Sequence, residues 1–331
     1  LTIYNNNEGA KSFVTAIYSN ALSFSASSFS WNGLTSITSD DADKGSDSGD
    51  TGTDKDKCDA LTLDATSLSV QEVFETNYQG ISKANIALNY LPKLDKADAN
   101  VVSRLTGEAK FLRALMYFNL VRCFGGVPIV DHVPVPSSAA DTEMTLTRKS
   151  KEDVYKFIEK DLLAAIEVLP EKSGYAISDL GRATKGAAHA LLAKVYLYQG
   201  NWKGVKDQCV AVTGYNLVPD YATIWREVGE DSVESIFEIR GYGGNPSQGI
   251  EGYMVSQGAR GTSGWGWGFN TPTASLSNSY EARDVRKDAT IIFAGETMWD
   301  GRVVSALVAN PRYNEKAYVS NTMETFNGDW E

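Results

Sequence analysis

The side chains best suited to hold a ligand are two tryptophans in a glycine-rich stretch. Residues 264–268 read Gly-Trp-Gly-Trp-Gly, so Trp265 and Trp267 lie two positions apart. Side chains two positions apart in an extended segment point to the same side, which would give both indoles a common face. The intervening glycines would leave the backbone open to close approach. This pattern predicts an apolar platform on which a flat ligand could stack.

Other aromatic and polar residues could complete a binding surface around this platform. The candidates are Tyr242, Tyr253, Trp31, Asn270, Gln257 and Arg260. Asn, Gln and Arg side chains each offer several hydrogen-bond donors, and the two amides also accept. An alternative is that the two indoles pack the irregular segment onto the rest of the fold, because tryptophan is usually well buried. The sequence leaves both interpretations open.

The motifs of several common enzyme classes are missing from the chain. It contains no phosphate-binding loop, no Gly-x-Gly-x-x-Gly fingerprint, no Gly-x-Ser-x-Gly elbow and no His-Glu-x-x-His motif. Of the two histidines, His189 is expected to pack on a helix, and His132 lies in a proline-rich connector. Two acids alone could make a glycoside hydrolase, and the 42 Asp and Glu residues keep that alternative open. We predict a protein that is not an enzyme and that uses no cofactor or metal.

The overall charge argues against two classes of partner. The chain carries a formal net charge of −11, so its field would repel nucleic-acid phosphates and anionic membrane surfaces. A neutral ligand is not repelled. No stretch of the sequence approaches the roughly 18 apolar residues expected of a membrane span. We therefore expect no nucleic-acid partner and no membrane-spanning helix.

An aspartate-rich segment, residues 40–59, is predicted to be a long solvated loop. It is nearly free of the apolar side chains that build a core element. Its aspartates do not follow the EF-hand order, so a loop without a bound ion is favoured over an ion site. Cys58 is expected to be tolerated in this polar loop. Cys123 and Cys209 lie on apolar helical stretches and are expected to be small buried hydrophobic residues.

Helical periodicity dominates the chain up to residue 214. Apolar residues recur at three- and four-residue steps in six segments, and glycine or proline ends several of them. The predicted helices cover residues 13–22, 70–91, 99–124, 154–169, 185–199 and 202–212. Beyond residue 215 the period is lost. The predictions there are a strand at 235–240, a short helix at 276–286, and strands or buried turns at 291–293 and 303–308.

The last two predicted helices resemble a tetratricopeptide hairpin. Leu192, Ala193, Tyr196, Gly200 and Trp202 match positions of that repeat. Small Ala193 would let the helices approach, while Tyr196 and Trp202 would fill the groove between them as core residues. A lone helix pair cannot bury both faces, so it must stack on the preceding helices. A scaffold that binds only protein partners is therefore an alternative function.

Five segments resemble segments of the SusD/RagB family, and they follow one another in the order usual in that family. The most recognisable is GEAKFLRALMYFNLVRCFGGVPIVD at residues 107–131. The others are SDDADKGS at 39–46, TKGAAHALLAKVYLYQGNW at 184–202, ESIFEIR at 234–240 and PTASLSNSYEARDVR at 272–286. Together they span residues 39 to 286.

The resemblance implies a mainly helical, single SusD-like domain over residues 1–331. Tetratricopeptide-like hairpins within residues 1–214 would form a superhelical scaffold, and residues 215–331 an irregular, glycine- and aromatic-rich region with short strands and ligand loops. Members of the family are lipoproteins on the surface of the outer membrane. They bind oligo- or polysaccharide without catalysis and pass it to a TonB-dependent, SusC-like porin.

Two features of the family are expected to lie outside this chain. The lipidated N-terminal cysteine is not in the sequence, so membrane attachment through a lipid anchor is implied by the resemblance alone. The C-terminal helices usual in the family are expected to be lacking. Sugars present flat apolar faces edged by hydroxyl groups, so in this family the platform at Trp265 and Trp267 would stack on a sugar ring.

Overall fold

The computed structural model describes residues 4–47, 49–50, 52–241 and 251–324. The chain folds into two compact units. Unit 1 comprises Leu1–Ala21, Phe74–Asn216 and Val233–Ile239; unit 2 comprises Leu22–Val73, Leu217–Ser232 and Arg240–Glu331. Helices provide most of the regular structure, which confirms the predicted mainly helical class. The single-domain organisation stays a prediction. Within the described ranges, no helix is long and apolar enough to cross a membrane.

Unit 1 is built from long helices that follow the apolar periodicity of the sequence. They are α1 (Asn7–Ala21), α5 (Leu68–Tyr90), α6 (Ala99–Phe124), α7 (Ala139–Leu146), α8 (Lys151–Val168), α9 (Lys185–Tyr198) and α10 (Trp202–Ala211). Helix α5 belongs to this unit from Phe74 onward. All six predicted helices are present. Helix α7 was not predicted, because it buries no residue and therefore has no apolar stripe.

Helix α6 forms the centre of the unit 1 core. The Asp98 carboxylate caps its N-terminus by accepting from the N–H groups of Asn100 and Val101. Gly125 follows its last residue at φ +71°, a conformation that glycine adopts without strain. Residues 111–114 are all buried, and four successive residues go once around a helix. The prediction of a helix packed on several sides is confirmed.

A buried ion pair fastens α6 to α8. The Arg113 guanidinium donates to both carboxylate oxygens of Asp161, from Nε at 2.7 Å and from Nη2 at 2.9 Å. Its Nη1 donates to Oδ1 of Asn85, on α5, at 2.7 Å. Charges removed from water need close pairing, and this bidentate geometry offsets the cost of their desolvation. The three side chains thereby tie α5, α6 and α8 together.

The α9–α10 hairpin follows the tetratricopeptide prediction in part. The Thr184 hydroxyl caps α9 by accepting from the Ala187 N–H at 3.0 Å. Trp202, however, is 69% exposed, so its assignment to the core is wrong. A methyl group on Gly204 would lie within 2.6 Å of the Tyr196 ring. The tyrosine ring therefore packs on the bare backbone of α10 and occupies the groove that the indole was expected to share.

Unit 2 combines short helices with two separate two-stranded sheets. Its helices are α2 (Phe24–Ser27), α3 (Phe29–Asn32), a π-helical turn (Gly33–Ile37), α4 (Thr53–Asp59), α11 (Glu251–Gln257) and α12 (Ala274–Ser279). Strand β1 (Ala42–Gly45) pairs antiparallel with β2 (Phe269–Pro272), and β3 (Ile291–Phe293) pairs antiparallel with β4 (Arg312–Asn314). A small core of this unit comprises Ala259, Ile292, Met298, Val304, Tyr313 and Tyr318.

The aspartate-rich segment is folded, and its interpretation as a solvated loop is wrong. It contains β1 and α4. Lys55 of α4 is 1% exposed. Its ammonium group lies 3.2 Å from Asp54 Oδ2, donates to Ser69 Oγ at 2.6 Å and stands 4.1 Å from the Phe29 ring centroid. A lysine stem fills apolar space when its charge is paired, so this polar sequence still builds a buried layer.

The cysteines are placed opposite to the sequence prediction. Cys58 is buried, whereas Cys123 and Cys209 are exposed. Cys123 lies in the last turn of α6, and Cys209 lies on α10, which has no buried residue. A methyl group on Gly33 would come within 3.2 Å of the Cys58 sulfur, so the missing side chain at that glycine makes room for it.

The strand predicted at residues 235–240 is wrong. This segment pairs with no strand in the part of the chain that the structure describes. Phe237 packs edge-on against Phe111 of α6, with ring centroids 4.8 Å apart. The Lys172 ammonium group donates to the Ser235 carbonyl at 3.0 Å. The apolar residues that indicated a strand cover the helical core of unit 1.

Predictions nearer the C-terminus are partly right. The segment 291–293 is strand β3, whereas 303–308 forms only isolated bridges, Val303 with Thr297 among them. The helix expected over 276–286 is limited to α12. The Asp284 carboxylate accepts from the Arg286 N–H at 3.0 Å, a local turn that competes with helical hydrogen bonding.

Candidate functional site

The Gly-Trp-Gly-Trp-Gly turn lies against the C-terminal end of α11. The N–H groups of Trp265 and Gly266 donate to the Ala259 carbonyl at 2.8 and 3.0 Å, and the Trp267 N–H donates to the Val255 carbonyl at 2.7 Å. Carbonyl groups at the end of a helix have no partner within the helix. The Trp267 N–H therefore satisfies a carbonyl in the last turn of α11, and the other two donors hold the turn to the segment that follows this helix.

The glycines around this turn permit its close contact with α11. A methyl group on Gly266 would lie 2.5 Å from the Val255 carbonyl oxygen, and one on Gly258 would lie 2.6 Å from the Trp265 ring. Neither position has room for a side chain. The open backbone that we expected to face a ligand is occupied by the helix.

Trp265 is half-buried beside the small core of unit 2. Its ring meets Tyr318 edge to face, with centroids 5.3 Å apart and planes at 68°. The Arg302 guanidinium stands 4.3 Å from the indole centroid, a cation–π contact. These neighbours fix the orientation of the ring, while part of it stays exposed.

Trp267 packs on a different group of aromatic residues. Its ring centroid lies 6.1 Å from that of Phe24 and 6.1 Å from that of Phe29. Phe24 is 40% exposed, so this group reaches the surface. The backbone bends at Gly266, so the alternation of an extended strand does not hold across the turn. Each indole therefore has its own neighbours.

Two of the predicted hydrogen-bonding residues bond to each other, and among the described residues the buried Oδ1 of Asn270 has no hydrogen-bond partner. Gln257 is 1% exposed, and its Oε1 accepts from Nδ2 of Asn270 at 2.7 Å and from Nδ2 of Asn314 at 2.8 Å. Its Nε2 donates to the Tyr253 carbonyl at 2.9 Å. These amides join α11 to β2 and β4. Gln257 and Asn270 therefore hold these elements together.

Arg260 faces the aspartate-rich segment. Its Nη1 donates to Asp50 Oδ2 at 2.7 Å and to Ser46 Oγ at 3.2 Å. Burial alone would raise the pKa of Asp50, but the Gly52 N–H, the Ser46 hydroxyl and Arg260 together lower it. The guanidinium thus holds an ionised carboxylate and fastens Ser46 and Asp50 to the segment that follows α11.

The other predicted aromatic residues are Trp31, Tyr253 and Tyr242. Trp31 lies on α3, where its carbonyl accepts from the Thr35 hydroxyl at 2.8 Å. Tyr253 lies on α11, one turn before Gln257. Both rings are half-buried and keep part of their surface accessible. Tyr242 lies outside the described residues.

Sequence patterns did not point to Trp299, which is the most exposed of the described tryptophans of unit 2. It is 43% exposed and lies at the tip of a hairpin turn. The Gly301 N–H donates to the Met298 carbonyl at 3.0 Å, and the Met298 N–H donates to the Arg302 carbonyl at 2.9 Å. Gly301 has φ +86°, as the last residue of a three-residue hairpin loop requires. The Asp-Gly pair after the tryptophan was the available turn signal.

Buried partners fix the ring of Trp299. Its N–H donates to Oε1 of Glu315 at 3.0 Å, and the Arg226 guanidinium stands 4.3 Å from the ring centroid. Arg226 and Glu315 also form an ion pair. Burial raises the pKa of Glu315 to about 7, against the opposing effect of Arg226. The ring is therefore held at its edge and on one face.

Three aromatic residues of unit 2 follow one another in space. Tyr318 is 1% exposed and contacts both indoles, with its ring centroid 5.3 Å from that of Trp265 and 6.2 Å from that of Trp299. We call Trp265, Tyr318 and Trp299 the aromatic row. Each indole of the row carries a guanidinium group on its ring, from Arg302 and Arg226 respectively.

A polar cleft of about 670 Å³ lies beside β1 and β2. Its lining includes Asp43, Asp59 and Arg312. Burial and the nearby Asp59 raise the pKa of Asp43, while Arg312 opposes the shift. No aromatic residue is among the lining residues that the structure describes, so the cleft offers hydrogen bonds but no stacking surface. Across the described ranges, no group of three or more His, Cys, Asp or Glu residues is arranged to hold a metal ion.

A family sequence profile matches residues 14–197, more than half of the chain. The profile is that of a SusD-like family described as "Starch-binding associating with outer membrane". The chain belongs to the SusD-like family. A curated SusD-like protein of Formosa agariphila is 28% identical over 229 residues, which is 65% of this chain and 43% of that protein. The resemblance inferred from the five sequence segments is confirmed.

Solved SusD-like structures share this fold. A laminarin-binding SusD-like protein aligns with a TM-score of 0.81 and 27% identity, covering 98% of this chain and 75% of that chain. Surface glycan-binding protein A from Bacteroides thetaiotaomicron, solved with laminarihexaose, gives a TM-score of 0.76 at 20% identity, covering 98% and 74%. The second likeness supports the fold alone. The chain spans less than half the length of the Formosa relative, at 43%.

Proposed function

We propose that this SusD-like chain captures an oligo- or polysaccharide at the cell surface without catalysis. Its family membership and its likeness to a laminarin-binding protein over 98% of the chain support this function. The observation that carries the proposal is the aromatic row, in which two partly exposed indoles are held by neighbouring side chains. Such rings bury the C–H face of a sugar at little entropic cost.

The residues predicted from the sequence divide into two proposed roles. Direct ligand contact is proposed for Trp265, Trp267, Tyr253, Tyr242 and Trp31. Gln257, Asn270 and Arg260, predicted from the sequence as ligand contacts, are proposed to hold α11, β2 and the aspartate-rich segment together, because their polar groups bind one another or that segment.

Calorimetric titration with laminarin tests the binding proposal. The Trp265→Ala change is expected to weaken binding by about 1–3 kcal/mol, the range for loss of a well-packed aromatic contact. Trp202→Ala removes an exposed indole of unit 1 and is the matched control, which should leave the affinity unchanged. An unchanged affinity with a lowered melting temperature for Trp265→Ala would instead assign that ring a packing role.

Two further results would contradict the proposed function. Failure of the wild-type protein to bind laminarin or any member of a panel of soluble polysaccharides would remove the capture function. Release of shorter sugars during prolonged incubation, abolished by replacing a single acid, would establish a hydrolase instead.

Delivery to a partner is part of the same proposal. We propose that the captured glycan passes to a TonB-dependent, SusC-like porin, and that the protein is held at the outer membrane as a surface lipoprotein. Affinity capture of the tagged protein from outer-membrane extracts should recover such a porin. Recovery of the tagged protein without any porin would count against delivery.

A further inference from the structure

We infer that Trp299 is a sugar-stacking residue and that, together with Trp265, it forms a two-ring site for a neutral glycan chain. The inference rests on the proposed capture of glycans. It adds a contact residue that no sequence pattern indicated and a class of ligand.

Hydrogen bonds to the Asp300 carboxylate anchor the hairpin tip that carries Trp299. Oδ2 of Asp300 accepts from the Tyr318 hydroxyl at 2.5 Å and from the Ser320 hydroxyl at 2.7 Å. Its Oδ1 accepts from the Arg302 N–H at 3.0 Å. The residue next to Trp299 is thus tied to the interior of unit 2. A ring at such a tip needs little ordering when a ligand binds, which favours affinity.

The indole of Trp299 presents a surface of defined orientation. Arg226 covers one face and Glu315 holds the N–H group, yet 43% of the residue is exposed. A third neighbour, Tyr318, meets the ring at 77°, and a sugar would stack on the ring surface that these three contacts leave open. An electron-rich indole face packs well against the C–H bonds of a hexose. These contacts restrict the directions from which a sugar can stack on the ring.

The charges around Trp299 favour a neutral ligand. Arg226 and Glu315 neutralise each other, and both Asp300 oxygens already accept hydrogen bonds. The chain as a whole carries a net charge of −11, which would repel a polyanionic glycan. A sugar bearing only hydroxyl groups meets neither obstacle.

The two indoles of the aromatic row share one buried neighbour. Trp265 and Trp299 both contact the buried Tyr318 ring, with centroids 5.3 and 6.2 Å from it, so the two indoles lie close enough to meet one glycan chain, and both residues are partly exposed. A second stacking contact on the same chain adds affinity without a second loss of translational freedom. Loss of either ring should therefore weaken binding of a polysaccharide strongly and binding of a monosaccharide only slightly.

Titration calorimetry of the full chain with laminarin and with alginate tests the inference. Trp299→Ala should lower the laminarin association constant about tenfold or more, as expected for an aromatic hot spot. Trp299→Phe should retain most of the affinity, and Trp202→Ala should match the wild type. Glu315→Ala should also weaken binding, and Glu315→Gln, which keeps an acceptor for the indole N–H, should restore it. Alginate should bind more weakly than laminarin.

Footprinting of the wild-type protein gives a second measurement that does not depend on variants folding. Hydroxyl-radical oxidation of Trp299 should fall when laminarin is present, while oxidation of Trp202 should not change. If the wild type binds laminarin and Trp299→Ala binds it equally well, the inference about Trp299 is overturned. The same holds if laminarin binds without protecting Trp299 from oxidation. Either result would leave the proposed glycan capture standing. Tighter binding of alginate would overturn the neutral-ligand assignment. No binding of any polysaccharide would instead remove the proposed function.

Discussion

Lys55 and Arg113 bring positive charge into the interior of their respective units. Lys55 is 1% exposed and Arg113 is 6% exposed. Each is paired with a carboxylate, Asp54 for the lysine and Asp161 for the arginine. Burying an unpaired charge costs several kcal/mol. Removal of either cation would leave its carboxylate without a partner and would destabilise the fold by an energy of that order.

The buried ammonium group gives a prediction at the level of a single residue. Lys55→Ala is expected to lower the free energy of unfolding by about 3 kcal/mol, because Asp54 and Ser69 lose their buried partner. Lys57→Ala on the same helix is the control. Its ammonium group forms an ion pair with Asp64 at 3.1 Å on an exposed surface, so the expected loss is under about 1 kcal/mol.

Urea denaturation followed by circular dichroism measures both variants. Equal stabilities for Lys55→Ala and Lys57→Ala would show that the α4 region contributes no buried interaction to the fold. The same comparison tests whether the aspartate-rich segment is part of the packed structure.

The connector between α6 and α8 is held by a histidine between two carboxylates. His132 Nδ1 lies 2.9 Å from Asp131 Oδ1, and its Nε2 lies 2.6 Å from Asp141 Oδ1 on α7. Hydrogen bonds to Asp131 and then to Asp141 raise the pKa of His132. The Val135 N–H and His132 lower the pKa of Asp141. Because α7 buries no residue, this clamp is a main attachment of that helix.

The clamp should make the stability of this element depend on pH. The pKa of His132 is raised in the folded state, so the stabilisation from this histidine is fully present below about pH 6.5, the ordinary pKa of histidine. It is lost as pH rises through the raised value. On the acid side, the lowered pKa of Asp141 means that its contribution is lost as pH falls through that value. The clamp is therefore strongest between the two pKa values.

Hydrogen exchange of α7 as a function of pH measures this effect. Protection of α7 in the wild type should fall as pH rises past the His132 pKa, and His132→Gln should abolish the dependence. His189→Gln is the matched control, because the His189 ring contacts the uncharged Gln208 amide at 2.7 Å. An identical pH profile in wild type and His132→Gln would show that the clamp does not hold α7.

Ligand binding should stabilise the whole molecule unevenly. A ligand that binds only the folded state adds about 2.7 kcal/mol at a concentration of 100 times its Kd. We expect laminarin to raise the melting temperature accordingly. We also expect added hydrogen-exchange protection in unit 2 around Trp265, Trp299 and Tyr318, and none in α9 or α10. Protection confined to the α9–α10 hairpin would favour a binding surface in unit 1.

The boundaries of α6 could be predicted from the sequence, whereas the exposure of Trp202 could not. The boundaries of α6 were predicted from an apolar stripe and two glycines, because helical hydrogen bonds and end conformations depend on residues a few positions apart. Trp202 was assigned to the core by repeat pattern alone. Its exposure depends on what packs against α10, which no local spacing specifies.

The candidate site likewise has features that the sequence determines and features that only the tertiary structure decides. The sequence identified residues 264–268 as a glycine-rich segment with two indoles, but the extended conformation expected there is wrong, because the backbone bends at Gly266 to contact α11. Tertiary structure alone decided which rings lie near one another. Trp265, Tyr318 and Trp299 are far apart in the chain, as are the paired strands β1 and β2. Such contacts form only when distant segments pack together to bury apolar surface and to pair buried charges, so no window of sequence contains them.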